Sequence, residues 1–125
     1  MAAPLPEARP DRKLVDGYGG GAISIRGETF RAPIVLLGDR VLGWSFGDIA
    51  ALTLADFQPL LDIENRPNIL LIGMGRRALF VRPDVRQGLR EAGMVADLMD
   101  TGAACRTYNL LLAEERSVGA CLVPV

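Results

Sequence analysis

Apolar and polar positions alternate in the first half of the chain in a way typical of short strands. Residues 22–26 alternate between apolar and polar side chains, and a hairpin turn at residues 27–28 would return the chain through residues 29–32. An apolar run that begins with proline follows at residues 33–37, and another follows a Gly-Asp turn at residues 41–44. These segments predict an N-terminal β-meander.

A short helix is predicted between the two halves of the chain. Thr53 is a typical N-cap residue, and Asp56 stands three positions after it, as in a capping box. Residues 54–61 would then form a helix whose apolar side chains share one stripe.

The second half alternates strands with helices. Three apolar segments are predicted to be strands of one sheet: residues 68–73, 94–99 and 117–123. Pro83 can open and Gly93 can close a helix between the first two strands, and residues 101–115 form the second helix. Short crossovers of this kind connect parallel neighbours, so this half is predicted to be a βαβαβ unit and the chain an α/β fold.

Length and charge narrow the class of protein. The 125 residues suffice for one domain with its own core. We expect a disordered Pro-rich tail over residues 1–12 and a single domain over residues 13–125. The net charge of −1 predicts no bulk attraction to nucleic acid or to an anionic membrane, and no apolar window is long enough for a membrane span. We therefore expect a cytoplasmic protein that binds no nucleic acid.

The absence of histidine excludes several kinds of chemistry. Ser-His-Asp and Cys-His mechanisms and histidine-ligated metals all need a side chain that this sequence lacks. Cys105 and Cys121 have no C-x-x-C spacing, which is typical of a reducing compartment and unlike a disulfide scaffold or zinc site. We expect no cofactor, no metal and no catalytic residue.

The densest group of polar side chains lies in the run MDTGAACRTYN, residues 99–109. It is predicted to span a strand end, a turn and the first turns of a helix, and ligands of α/β proteins bind at such places. The weak Gly-x-Gly motif before two arginines ends the first of the apolar strands, at residues 73–77. One hypothesis is therefore a site for a small anion or nucleotide formed by five residues: Gly73, Gly75, Arg76, Thr101 and Arg106.

The same polar run also has a structural interpretation. Asp100 or Thr101 would serve as the N-cap of the helix. Arg106 and Asn109 are three residues apart on one helix face, and together with Asp100 they would clamp neighbouring backbone. In this interpretation the Arg106 guanidinium is at least partly buried.

Three other positions leave alternatives open. Cys105 lies near a helix N-terminus beside an arginine, as a redox-sensing thiol would, but its spacing with Tyr108 and Leu112 favours a core stripe. Tyr18 stands among glycines, which permits either the approach of a partner or an irregular first strand. Asp97 interrupts an apolar strand, so we expect it at a sheet edge or beside an arginine.

Five segments together resemble the Mth938-like domain family. They are GYGGG (residues 17–21), the lone Trp44, ILLIGMG (residues 69–75), MDTGAACRTYN and LLLAEERSVGACLVPV (residues 110–125). The resemblance implies a three-layer α/β/β-like fold with a mixed central sheet, and it does not imply an enzyme. The mitochondrial member of that family is an assembly factor for respiratory complex I. Met74 departs from the threonine usual in the family, which removes a hydroxyl from any ligand at this loop.

The favoured functional hypothesis is a non-enzymatic interaction or assembly factor, for respiratory complex I or for other membrane proteins, with complex I subunits as candidate protein partners. The alternative is the domain that binds a small anion or nucleotide at the strand ends. Redox sensing by Cys105 ranks last.

Overall fold

The computed structural model describes residues 14–125, which form two β-sheets and three α-helices. The strands are Val15–Gly19 (β1), Ala22–Ile25 (β2), Glu28–Phe30 (β3), Ile34–Leu37 (β4), Arg40–Gly43 (β5), Ile69–Gly73 (β6), Val95–Met99 (β7) and Val118–Leu122 (β8). The helices are Gln58–Leu61 (α1), Pro83–Glu91 (α2) and Thr101–Ala113 (α3), preceded by 3-10 turns at Ile49–Ala51 and Leu54–Phe57. The predicted tail over residues 1–12 lies outside the described residues.

The predicted βαβαβ half is confirmed. Its three strands begin and end within one residue of the predicted bounds, and β6 runs parallel to both β7 and β8. The central sheet has the order β5-β4-β8-β6-β7, so β6 and β8 are covered by strands on both sides. Strand β7 is an edge strand, and Asp97 therefore lies at a sheet edge, which is one of the two positions expected for it.

The predicted meander divides between two sheets. Strands β1 to β3 form an antiparallel sheet of their own, whereas β4 and β5 join the central sheet through antiparallel pairing of β4 with β8. The central sheet is therefore mixed, as expected. The hairpin turn predicted at residues 27–28 lies one residue earlier, at Arg26 and Gly27, whose φ angles of 49° and 82° suit a type I′ turn. Glu28 belongs to β3.

The predicted helix over residues 54–61 is only partly α-helical. Its first turn is a 3-10 turn, in which the Gln58 N–H bonds the Ala55 carbonyl three residues back. An α-helix would have residue 59 donate to the Ala55 carbonyl, but Pro59 has no N–H. The regular α-helical hydrogen bonds therefore begin only after the 3-10 turn. The start itself matches the predicted pattern, because the Thr53 N–H donates to the Asp56 carboxylate at 2.8 Å.

The two faces of the central sheet carry separate hydrophobic clusters. Leu70 and Ile72 of β6 pack on one face with Trp44, whose indole N–H donates to the Asp56 carbonyl at 2.9 Å. Helices complete that cluster with Phe57, Leu60, Val85 and Leu89. On the other face, Leu71 packs against α3 and the small sheet through Val15, Ile23, Ile25, Ala104, Tyr108 and Leu112. The molecule thus has three layers, with α3 and the small sheet together on one side.

Candidate functional site

Thr101 joins three chain segments at the carboxyl end of β6. Its hydroxyl donates to the Val123 carbonyl at 2.6 Å and accepts the Gly75 N–H at 2.9 Å. Its own N–H donates to the Gly75 carbonyl at 2.8 Å, and the side chain is fully buried. The fold therefore brings Gly75 and Thr101 together as the sequence predicted, but the hydroxyl hydrogen and the Gly75 N–H are already engaged within the protein.

Gly73 allows α3 to approach β6 closely. A methyl group at Gly73 would lie 3.0 Å from Ala104 Cβ, 3.0 Å from Leu122 Cδ2 and 3.0 Å from Thr101 Cα. Such contacts are tighter than most contacts of a methyl carbon, so the neighbours would have to shift, and the absence of a side chain here has a packing reason.

Met74 points inward. It is buried at 3% exposure, and its sulfur accepts the Leu79 N–H at 3.3 Å. Its own N–H donates to the Met99 carbonyl at 3.0 Å, so this amide is also used inside the fold. Met74 thus anchors the following loop to the core.

The two arginines of the predicted site, and Arg77 beside the first of them, lie at the surface. Arg76 and Arg77 are exposed in the loop after β6. Arg106 is also exposed, and its guanidinium donates to the Tyr18 hydroxyl oxygen. The expectation that Arg106 is partly buried is therefore wrong, because the residue lies on the flank of α3 beside the exposed part of β1.

Asp100 and Asn109 bind backbone. The Asp100 carboxylate accepts the Ala103 N–H at 2.9 Å and caps α3. The Asn109 carboxamide accepts the Val15 N–H at 2.9 Å and donates to the Val15 carbonyl at 2.8 Å. These two hydrogen bonds tie α3 to β1. The sequence predicted that Asn109 would bind neighbouring backbone, but it did not indicate which strand.

Tyr18 of β1 also contacts α3. A methyl group at Gly102 would lie 2.8 Å from the Tyr18 hydroxyl oxygen and 3.0 Å from its ring. The tyrosine ring therefore rests on the first turn of α3, and β1 itself is irregular, with a bulge between Val15 and Gly17.

Both cysteines are core residues. Cys105 packs with Tyr108 and Leu112, and burial raises the pKa of its thiol to about 11. Burial also raises the pKa of the Cys121 thiol. Neither thiol is a thiolate to a significant extent near neutral pH. Within residues 14–125, no three Cys, Asp or Glu side chains are grouped so as to hold a metal ion.

One surface feature was missed at the level of sequence. Phe80 is 73% exposed, more than any other large apolar side chain in the described part of the chain. It lines a shallow groove with Arg86 and Arg90 of α2. The sequence feature that could have indicated this surface is the segment over residues 76–90, which holds five arginines and one aspartate.

Solved structures place this architecture among Mth938-like domains. A crystal structure from Bordetella parapertussis matches with a TM-score of 0.82 at 33% identity, covering 91% of this chain and 97% of the other. A solution structure described as a Mth938-like domain, from Bordetella pertussis, matches with a TM-score of 0.82 at 28% identity, covering 99% and 90%. The fold expected from the resemblance is therefore confirmed.

The chain belongs to the DUF498/DUF598 family, described as proteins of unknown function, whose model matches residues 15–123. It is 32% identical over 115 residues to mouse NADH dehydrogenase (ubiquinone) 1 alpha subcomplex assembly factor 3. That match covers 92% of this chain and 62% of the mouse protein. The chain thus spans less than two thirds of the length of this relative.

Among residues 14–125, no helix is long and apolar enough to cross a membrane.

Proposed function

We propose that this protein is an assembly factor that acts by binding protein subunits of respiratory complex I, without turnover of a substrate. The observation that carries the proposal is the 32% identity, over 92% of this chain, to the mouse protein named as an assembly factor of NADH dehydrogenase. The shared region includes the packed three-layer domain, so the domain itself is the candidate binding unit.

The geometry at the strand ends favours the assembly role over the small-anion alternative. The Thr101 hydroxyl, the Gly75 N–H and the Met74 N–H all bond to groups of the protein itself. A small-anion site needs such donors directed outward. The anion-binding alternative stays a prediction that now depends mainly on the exposed Arg76.

A gene deletion in the native cell tests the assembly role. We expect membranes of the deletion strain to lose NADH:ubiquinone oxidoreductase activity, and native gels to show accumulated partial complexes of complex I. Restoring the wild-type gene should recover both. Normal levels of assembled complex I in the deletion strain would contradict the proposal.

Crosslinked capture of the tagged full chain tests direct contact. We expect complex I subunits among the bound proteins, identified by mass spectrometry, and none when the tag alone is used.

A metabolite screen tests the alternative function, the binding of a small anion or nucleotide. A small anion that raises the melting temperature of the wild type but not of Arg76→Gln, with no subunit captured, would favour the alternative function.

A further inference from the structure

Phe80 is held outward by a firmly anchored loop. Leu79 on one side is partly buried, with its N–H bonded to the Met74 sulfur, and Val81 on the other side is buried at 3% exposure. The loop is therefore anchored on both sides of Phe80, whose own side chain is 73% exposed.

The charge around Phe80 is strongly positive. Residues 76–91 carry a net charge of +3, whereas the whole chain carries −1. Arg86 and Arg90 are four residues apart and share one flank of α2, which lines the groove with Phe80. Asp84 and Glu91 are seven residues apart and share a different flank.

The acidic side chains of this region have other partners. Asp84 pairs with Arg82 at 2.5 Å, which lowers the pKa of its carboxyl. Glu91 accepts a hydrogen bond at 3.3 Å from the uncharged Gln87, which itself lines the groove. Arg76 and Arg77, which are counted in that net charge, are exposed at the start of the same loop.

We propose that Phe80, Arg86 and Arg90, here called the Phe80 patch, dock the protein on the surface of an anionic phospholipid bilayer. The ring of Phe80 inserts at the level of the headgroups, and the guanidinium groups bind lipid phosphates. This inference is independent of the proposed assembly function.

The composition of the patch favours a bilayer over a protein partner. A stable protein interface buries about 800 Å² on each side around several apolar residues. Here one large exposed apolar side chain is flanked by cations. Surface binding to anionic lipid needs no more than a few inserted apolar groups and a cluster of basic residues.

Vesicle sedimentation of the purified full chain tests the proposal. We expect binding to vesicles of equimolar phosphatidylglycerol and phosphatidylcholine, weakening at high salt, and little binding to phosphatidylcholine alone. Replacing Phe80 with alanine should lower the partition coefficient about tenfold. Each of Arg86→Gln and Arg90→Gln should lower it about fivefold.

Matched controls separate the patch from general effects. Leu110→Ala removes another exposed apolar side chain, on α3, and should leave binding unchanged. The double variant Arg31→Gln/Arg40→Gln removes two positive charges from exposed positions outside the patch, as many as Arg86→Gln and Arg90→Gln remove together. Arg90→Gln serves alone if Arg86→Gln disturbs α2, since Arg86 also bonds the Ala96 carbonyl.

Three results would overturn the proposal. Wild-type protein that ignores anionic vesicles contradicts it directly. Vesicle binding that Phe80→Ala and Arg90→Gln leave unchanged shows that the patch is not the contact. Binding to soluble polyglutamate with no binding to vesicles assigns the patch to an acidic protein segment instead.

Discussion

At the scale of single residues, Asn109 and Arg106 show how two polar side chains on one helix differ in what they contribute. The Asn109 carboxamide makes two hydrogen bonds to the backbone of Val15, in a partly buried setting. The Arg106 guanidinium makes its contact with Tyr18, which is 42% exposed. Water can replace the second contact but has little access to the first.

We therefore expect Asn109→Ala to lower the free energy of unfolding by about 1–3 kcal/mol, because the N–H and carbonyl of Val15 lose their partners. Arg106→Ala should cost less than about 1 kcal/mol, as is usual for an exposed polar residue. Urea denaturation of both variants measures the difference. A larger loss for Arg106→Ala than for Asn109→Ala would show that β1 is held mainly through Tyr18.

The buried thiol of Cys105 has a testable pH dependence. Because its pKa is raised to about 11, from an ordinary value of 9.0, the folded protein keeps this thiol protonated at neutral pH. In a Cys121→Ala variant, alkylation of Cys105 by iodoacetamide should be slow near neutral pH and should accelerate as the pH approaches 11. Mass spectrometry measures the rate, with the urea-unfolded variant as control. Fast alkylation of the folded variant near neutral pH would support a redox role.

At the scale of secondary structure, the packing of α3 on β6 determines the candidate site. Gly73 gives the helix room to approach, and Thr101 then bonds both Gly75 and the carbonyl of Val123 beyond β8. The carboxyl ends of β6 and β8 and the start of α3 are thereby held as one unit.

A methyl group at Gly73 should separate these elements. We expect Gly73→Ala to lower the free energy of unfolding by about 1–3 kcal/mol, since one of its three close contacts is with backbone. Gly43→Ala is the matched control, because nothing lies within 4 Å of a methyl group there, and its effect should stay within about 0.5 kcal/mol. Equal effects of the two substitutions, measured by urea denaturation, would refute the packing argument.

At the scale of the whole molecule, the two sheets differ in how they are protected. The central sheet has a hydrophobic cluster on each face, whereas β3 is an edge strand with Glu28 and Thr29 exposed. The small sheet is attached to the rest through Asn109 and through the Gly21 N–H, which donates to the Val125 carbonyl at 2.8 Å.

This difference predicts an order of amide hydrogen exchange. Amides of β6 and β8 should exchange slowest, near the rate set by global unfolding, and those of β3 should exchange orders of magnitude faster through local opening. Exchange followed by mass spectrometry of peptic fragments gives the order. Asn109→Ala should accelerate exchange in β1 and β2 without changing it in β6. Equal protection of β3 and β6 would mean that the two sheets open only together.

Local patterns in the sequence were sufficient for the elements of the second half. Residues 69–73 form a strand covered on both faces, so the continuous apolar run directly reflects its burial. Asp100 and the helix after it were predictable for a similar reason, since capping depends on neighbours along the chain. The meeting of Gly75 and Thr101 also followed from the parallel order of the strands.

Pairing and exposure depended on residues far apart in the chain. Strand β4 could pair with β3, its neighbour in sequence, or with β8, which lies more than 80 residues away. The local pattern of apolar and polar residues does not indicate which of these pairings forms. The direction of Arg106 depended on where β1 crosses α3, and the exposure of Phe80 depended on the anchoring of both its neighbours to the core. Periodicity in a sequence reflects burial and local hydrogen bonding, whereas the partners of each surface are selected by packing between distant segments, which a one-dimensional pattern does not contain.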